Sequence, residues 1–265
     1  MYKRQEYKYH LAALFTVTVW GATFVSTKVL IANSLTPAEI FLLRFAMAYV
    51  CILPFARGRM WAANLRDELL LAAAGLSGGS LYFLTENMAL EYAPASNVSL
   101  IVCTAPVWTA LLLSLAYRGE RMTRRQIGGS ALAFAGMVLV VLNGQLTFHL
   151  NPLGDLIALA AALMWAVYSI LIKKYTEQYD NFLVTRRVML WAFITAVPLM
   201  LLTDGMPDLH PLFTQTNVLL SWLFLGVFGN AVCFAIWNIA FQRLGVVITN
   251  NYLYCLLYTS PSPRD

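Results

Sequence analysis

The sequence predicts an all-α membrane protein of two inverted five-helix repeats, the second incomplete, with about nine transmembrane helices of an expected ten. Three observations carry this reading. First, the 265 residues are 60% hydrophobic and 12% charged. A soluble domain averages nearer a quarter charged, and a core of this length cannot hide that much apolar surface from water. Second, the basic residues gather on one side of the apolar runs. Third, the stretch Gly78 to Pro106 returns about 150 residues later as Gly229 to Tyr254. Asn87-Met88-Ala89-Leu90 falls on Asn238-Ile239-Ala240-Phe241, and each copy reads as helix, short turn, helix.

A hydrocarbon core about 30 Å thick needs about 20 apolar residues of helix. The runs fall at 9–31, 37–56, 69–90, 95–117, 125–142, 153–173, 182–203, 217–241 and a short 246–257. Helices are required because unpaired backbone groups are costly in lipid. The alternating segments of about 10 residues that mark an outer-membrane barrel are missing. The first run is longer than a signal-peptide core and lacks a small-residue cleavage pattern, so it stays as a span. Pro94 and Pro106 are expected to start or bend the fourth helix. Gly75 and Gly79 form a GxxxG, which reads as close helix packing.

With the N-terminus inside, the inner segments hold Lys3, Arg4, Lys8, Arg57, Arg59, Arg66, Arg118, Arg121, Arg124, Arg125, Lys173, Lys174 and Arg243. The outer connections 32–36, 91–94, 143–152 and 204–216 hold no Lys or Arg. This bias predicts a cytoplasmic N-terminus in the bacterial inner (plasma) membrane. The net charge of +5 therefore marks topology and not a nucleic-acid partner. Cys51, Cys103, Cys233 and Cys255 lie in or beside apolar runs without metal-like spacing, and read as small buried hydrophobes.

The duplication runs beyond the opening stretch. Trp20-Gly21-Ala22-Thr23-Phe24 matches Trp165-Ala166-Val167-Tyr168, with Lys28 and Lys173 each eight residues after the Trp. The second span of each half carries an early arginine, Arg44 or Arg186/Arg187, and a late proline, Pro54 or Pro198. An odd number of spans per half puts the second half into the membrane upside down, the logic of secondary transporters with a substrate site between the halves.

These residues resemble the EamA-type transporters of the drug/metabolite transporter superfamily. The resemblance covers roughly residues 8–254 and rests on WGATFVSTK, LLRF, ALEYAPASNVSLI with TAPVWTALL, and GDLIALAAALMWAVYSILIKK. It implies a first repeat at 8–143 and a second at 152–254, and transport of small metabolites such as amino acids. The sequence departs from the family pattern after Tyr254, where a proline and a tenth helix are expected. Residues 1–5 and 255–265 resemble translated adapter sequence and are set aside as non-native ends, which makes the second repeat truncated.

No catalytic constellation, metal site or cofactor motif is legible, and the chain is not read as an enzyme. His10, His149 and His210 sit at span edges or in outer loops without HExxH spacing. Glu86 is the sharpest signal: a carboxylate late in the third span either faces a cavity or partner, or stays solvated near the outer interface. In a cavity it can hold a substrate ammonium or carry a coupled proton. Its same-face neighbours are Tyr82 and Phe83, of which only Tyr82 offers a hydrogen bond. Arg44 reads equally as a carboxylate clamp and as a structural pair. One of Arg186 and Arg187 can clamp a carboxylate or form a structural pair, but both lie nearer the cytoplasm and, like Lys28, read first as snorkelling to headgroups. Trp20, Trp108, Trp165, Tyr168 and Trp237 are span aromatics that either line a pocket or pack. Asn87, Asn97, Asn238 and Asn250 either bridge helices or face the cavity.

These residues point to a secondary transporter, most naturally an exporter, of small metabolites such as amino acids. It would work by alternating access, one repeat rocking against the other, with the lipid bilayer, a small-molecule substrate and a coupled proton as partners. The competing readings are an intramembrane enzyme acting on lipid, which needs clustered carboxylates, histidines or serines, and a non-transporting membrane scaffold, which does not require a duplication.

Overall fold

The structure, a computed structural model, describes residues 2–56, 59–93, 95–117, 123–142, 151–203 and 209–255, and every element among them is helical. Helix α1 (Tyr2–Ala32) runs 31 residues, about 46 Å at 1.5 Å per residue. After a turn, α2 (Pro37–Ile52) starts from a capping box. Thr36 accepts from the Glu39 N–H, Glu39 accepts from the Thr36 N–H, and Pro37 sits where no donor is needed.

The third span is α3 (Leu65–Gly75), a π-helical stretch (Leu76–Leu81) and α4 (Tyr82–Tyr92) in one continuous rod. Asn64 caps its start. The fourth span breaks where the sequence places a proline. Helix α5 (Ala95–Val102) ends, the Thr104 N–H bonds the Ile101 carbonyl, and α6 (Ala105–Ala116) begins with Pro106 near its N-terminus. Pro94, also expected to act there, lies outside the described residues. Helix α7 (Arg124–Leu142) follows.

Helix α8 (Pro152–Gln178) is capped by Asn151, with Asp155 in its first turn. Helix α9 (Asn181–Thr203) carries Pro198 inside it. A short α10 (His210–Thr214) precedes α11 (Thr216–Leu223), a second π-helical stretch (Phe224–Val232) and α12 (Cys233–Leu244), again one rod. Gly245, at φ 85°, turns the chain into α13 (Val246–Asn251) and a 3-10 turn (Tyr252–Cys255). A side chain at that φ is strained, so glycine is the fitting residue. The tail at 258–265, expected outside the bundle, falls beyond the described residues.

Among the described residues five helical segments are long and apolar enough to cross a membrane: Tyr7–Ala32, Leu65–Glu86, Pro152–Gln178, Asn181–Leu202 and Thr216–Leu244. Leu100–Ala116 is a shorter apolar helix. Large apolar side chains such as Phe15, Leu115, Leu156 and Leu202 on these segments, Val50 on α2, and Leu132 and Leu139 on α7 stand exposed. So much apolar surface marks a lipid-facing exterior.

The packing is reciprocal. Helix α1 lies against α12 and the second π stretch, whereas α8 lies against α4 and the first π stretch. Helix α2 packs on the second π stretch and α9 packs on the first, and α2 and α9 pack on each other. The glycines give the detail. A Cβ at Gly75 would stand 2.7 Å from Trp191 Cβ and 2.8 Å from the Val188 carbonyl. A Cβ at Gly226 would stand 2.5 Å from Met47 Cβ and 3.5 Å from the Arg44 carbonyl. At Gly78 it would meet the Tyr168 ring, and at Gly229 it would meet Thr23. Gly79 likewise approaches Ala192, so both glycines of the GxxxG serve close packing against α9.

Candidate functional site

Trp20, Arg44, Tyr82, Glu86, Trp165, Tyr168 and Asn238, all singled out in the sequence, come together where α1, α2, α4, α8 and α12 meet. The centre is aromatic. The Trp20 ring stands edge-on to Trp165 at 5.9 Å and lies 4.9 Å from Trp237 and 5.7 Å from Phe234. Trp165 in turn contacts Tyr82 at 5.4 Å and Tyr168 at 5.2 Å. Edge-to-face and tilted pairs at these separations each add about 0.5–1.5 kcal/mol beyond burial. Trp20 Nε1 donates to the Gly229 carbonyl, in the second π stretch, at 2.8 Å.

Polar groups are set into the wall of this cluster. Arg44 donates from Nε and Nη2 to Asn230 Oδ1 at 2.9 and 2.6 Å and stacks over the Phe83 ring at 5.0 Å. Asn230 is fully buried, and its Nδ2 donates no hydrogen bond among the described residues. Tyr82 donates to Glu86 Oε1 at 3.1 Å, one helical turn on, as the spacing predicts. Glu86 is half-buried. No direct ion pair joins Arg44 and Glu86 among the described residues. Tyr168 donates to Asn238 Oδ1 at 3.1 Å, and Asn238 Nδ2 donates to Thr185 at 3.0 Å. Trp165 Nε1 donates to Asn250 Oδ1 at 3.1 Å, whose Nδ2 reaches Thr109 and Ser169.

Trp108 is not part of this cluster. It lines an open apolar groove of about 720 Å³ between α5, α6, α7 and the start of α8, with Ile101, Phe134 and Leu156. Its Nε1 is satisfied by Thr104 one turn earlier. The side chain of Asn87 lies outside the described residues. Trp237 is completely buried and packs on Trp20 and Phe241.

The snorkelling expected of Arg186 and Arg187 is corrected by the structure. Both are buried, 1% and 2% exposed. Arg187 pairs with Glu68 and stacks on Trp61 at 4.1 Å, and Trp191 Nε1 donates to the same Glu68 oxygen at 2.7 Å. Arg186 donates to the carbonyls of Ala56, Arg59 and Met60, tying down the chain between α2 and α3. Beside them Asp67 accepts from Tyr175, Tyr179 and Gln178. Position near a span end suggested headgroups, but partners distant in sequence captured both guanidinium groups. Lys28 is exposed.

Sequence reasoning did not single out Asn230 or Phe234, and it named Phe83 only as a same-face neighbour of Glu86. The available signal for Asn230 was a lone amide inside the apolar run Phe224 to Phe234. Nothing local marks a phenylalanine as lining and not packing.

This helical bundle, with charged and amide groups converging on a buried aromatic cluster, defines a multi-pass membrane protein. The EamA-like transporter family model matches residues 7–142 and 152–256, and the chain belongs to that family. An uncharacterized transporter of Archaeoglobus fulgidus is 26% identical over 96% of this chain and 87% of its own length. A probable terminal-alkyne amino-acid exporter of Streptantibioticus cattleyicolor is 28% identical over 92% and 80%. A probable amino-acid metabolite efflux pump of Escherichia coli is 30% identical over 87% and 77%. A protein crystal structure shares the fold with a TM-score of 0.74 at 22% identity, covering 96% of this chain and 90% of that one. The protein is thus a membrane transporter that moves small molecules, and family membership points away from catalysis.

Proposed function

We propose that the chain exports small amino-acid-like metabolites across the bacterial inner membrane by alternating access, through two inverted repeats at 8–143 and 152–254. One observation carries the substrate class: Glu86 and Arg44, opposite charges on α4 and α2, flank the same aromatic cluster. Glu86 holds the ammonium. Arg44, with the unused Asn230 amide beside it, holds the carboxylate. Trp20, Tyr82, Trp165 and Tyr168 enclose the side chain, as apolar ligand pockets do, and Asn238 fixes the Tyr168 hydroxyl.

The names of the Streptantibioticus and Escherichia relatives support this class. The reciprocal glycine contacts support the duplication, since residues 144 or 145 apart play the same part in each half. The thirteen basic residues on one side support an inside N-terminus. Nine spans of an expected ten remain the proposed count. A proton coupled through Glu86 supplies the driving force.

The test is counterflow of a mixture of radiolabelled α-amino acids in proteoliposomes, with and without a pH gradient. Glu86→Gln keeps the Tyr82 hydrogen bond and removes the charge. Counterflow should fall at least tenfold, about 1.4 kcal/mol of lost pairing, and the response to the gradient should vanish. Unchanged uptake with an unchanged pH response would remove Glu86 from the site.

A further inference from the structure

The open groove beside Trp108 carries a carboxylate that the described part of the chain does not answer. The groove holds about 720 Å³ between α5, α6, α7 and the start of α8, inside the range of about 300–1,000 Å³ usual for ligand pockets. Its walls are mainly apolar, with Ile101, Trp108, Phe134 and Leu159. Val107 and Leu156 also line it and stand exposed, so the groove opens towards the lipid-facing exterior.

The polar side chains that reach it differ in what they have left to offer. Thr104 donates to the Ile101 carbonyl at 2.6 Å and accepts from Trp108 Nε1 at 3.0 Å, so hydroxyl and indole are already paired. Asp155 is half-buried, and its Oδ1 is shut off from solvent with no hydrogen-bond partner among the described residues. Its place in the first turn of α8 suits the helix dipole. The dipole accounts for a carboxylate at this position. It leaves the buried oxygen unbonded, and buried polar atoms are nearly always bonded.

The other half shows a self-contained version of the same corner. In the proposed repeat register, 145 residues separate Trp20 from Trp165 and 151 separate Asn87 from Asn238. His10 then corresponds to Asp155, and Tyr252 to Ile101. His10 Nδ1 and the Tyr252 hydroxyl share a hydrogen bond at 2.8 Å. Asp155 instead meets a groove in which Ile101 has no polar side-chain atom to give. The adjoining connections 91–94 and 143–152 hold no Lys or Arg to supply a cation.

We propose that this groove is a phospholipid site: an acyl chain lies along Trp108 and Phe134, and a primary ammonium headgroup, that of phosphatidylethanolamine, donates to Asp155. A positive charge with N–H donors answers the free acceptor, and the alkyl chain answers the apolar walls. A free amino acid fits poorly, because its carboxylate would meet Asp155 and no unpaired side-chain donor among the described lining residues. A choline headgroup carries the charge without an N–H, so it should bind more weakly. With the N-terminus inside, the headgroup sits in the outer leaflet. The groove is separate from the aromatic cluster, so the test does not depend on transport.

The test is quenching of tryptophan fluorescence by brominated-chain lipids, with the full chain in phosphatidylcholine nanodiscs. The difference between the parent and Trp108→Phe isolates the signal from the groove. Half-maximal quenching of Trp108 should need about fivefold less brominated phosphatidylethanolamine than brominated phosphatidylcholine, the upper end for a partly exposed ion pair. Asp155→Asn should erase this preference and leave the phosphatidylcholine curve unchanged. Ile101→Tyr, which hands Asp155 an internal partner as Tyr252 serves His10, should erase it too.

Equal quenching by the two lipids in the parent, or a preference that survives Asp155→Asn, would overturn the site. His149 lies outside the described residues. A preference that appears only in His149→Ala would give Asp155 a partner within the chain and overturn the proposal as well. Recovery of Trp108 fluorescence on adding free ethanolamine would assign the oxygen to a soluble amine and overturn the lipid assignment.

Discussion

Gly75→Ala places one methyl group where α3 meets α9. Its carbon would stand 2.7 Å from Trp191 Cβ, 2.8 Å from the Val188 carbonyl oxygen and 3.0 Å from the Ala192 nitrogen. Ordinary contacts between carbon atoms are about 3.5–4.0 Å, so relief requires about 1 Å of separation. Two of the three atoms are backbone and cannot rotate away. Overpacking of this kind costs about 1–3 kcal/mol. For a chain of this size that lowers the melting temperature by roughly 2–4 °C for each kcal/mol, or about 4–8 °C at the middle of the range. Gly226→Ala meets the Met47 side chain at 2.5 Å but stands 3.5 Å from the Arg44 carbonyl, so its loss should be the smaller. The control is Gly128→Ala, which has nothing within 4 Å of the added carbon. There helix propensity alone acts and favours alanine by about 1 kcal/mol. Thermal unfolding in detergent, followed by tryptophan fluorescence, should rank Gly128→Ala above the parent, then Gly226→Ala, then Gly75→Ala. A Gly75→Ala melting curve that coincides with that of Gly128→Ala would refute the close approach of α3 to α9.

Three further outcomes follow from the contacts. Arg187→Met leaves Glu68 buried without its cation and should cost about 3 kcal/mol, and Glu68→Gln in the same chain should recover part of the lost melting temperature. Arg44→Lys keeps the charge but loses the two-point bond to Asn230. Half-saturation for amino acids in counterflow should rise several-fold with little change in folding, and an unchanged half-saturation would place Arg44 outside the substrate site. Asn250→Leu strips partners from Trp165, Thr109 and Ser169 at once, so it should destabilise the chain more than Ser169→Ala, measured by the same melts.

The sequence by itself determined the class of the protein. An apolar excess at this length puts helices into lipid, because only helices and closed barrels pair their own backbone hydrogen bonds there, and the alternating segments of a barrel are missing. The break before Pro106, the caps at Thr36 and Asn151 and the turn at Gly245 were also local, since each depends on a few adjacent residues. The Tyr82–Glu86 bond followed from helical spacing alone. Tertiary structure decided what no local rule reaches. Arg186 and Arg187 looked like headgroup anchors, yet they are claimed by Glu68, Trp61 and carbonyls more than 100 residues away. Trp20 and Trp108 are indistinguishable as span tryptophans, yet one joins the buried aromatic cluster and the other faces a groove. The difference between α4 and α12 was equally invisible, because the two repeats carry similar apolar patterns. How deeply each copy is buried depends on how whole helices pack against each other, and that is a property of the bundle.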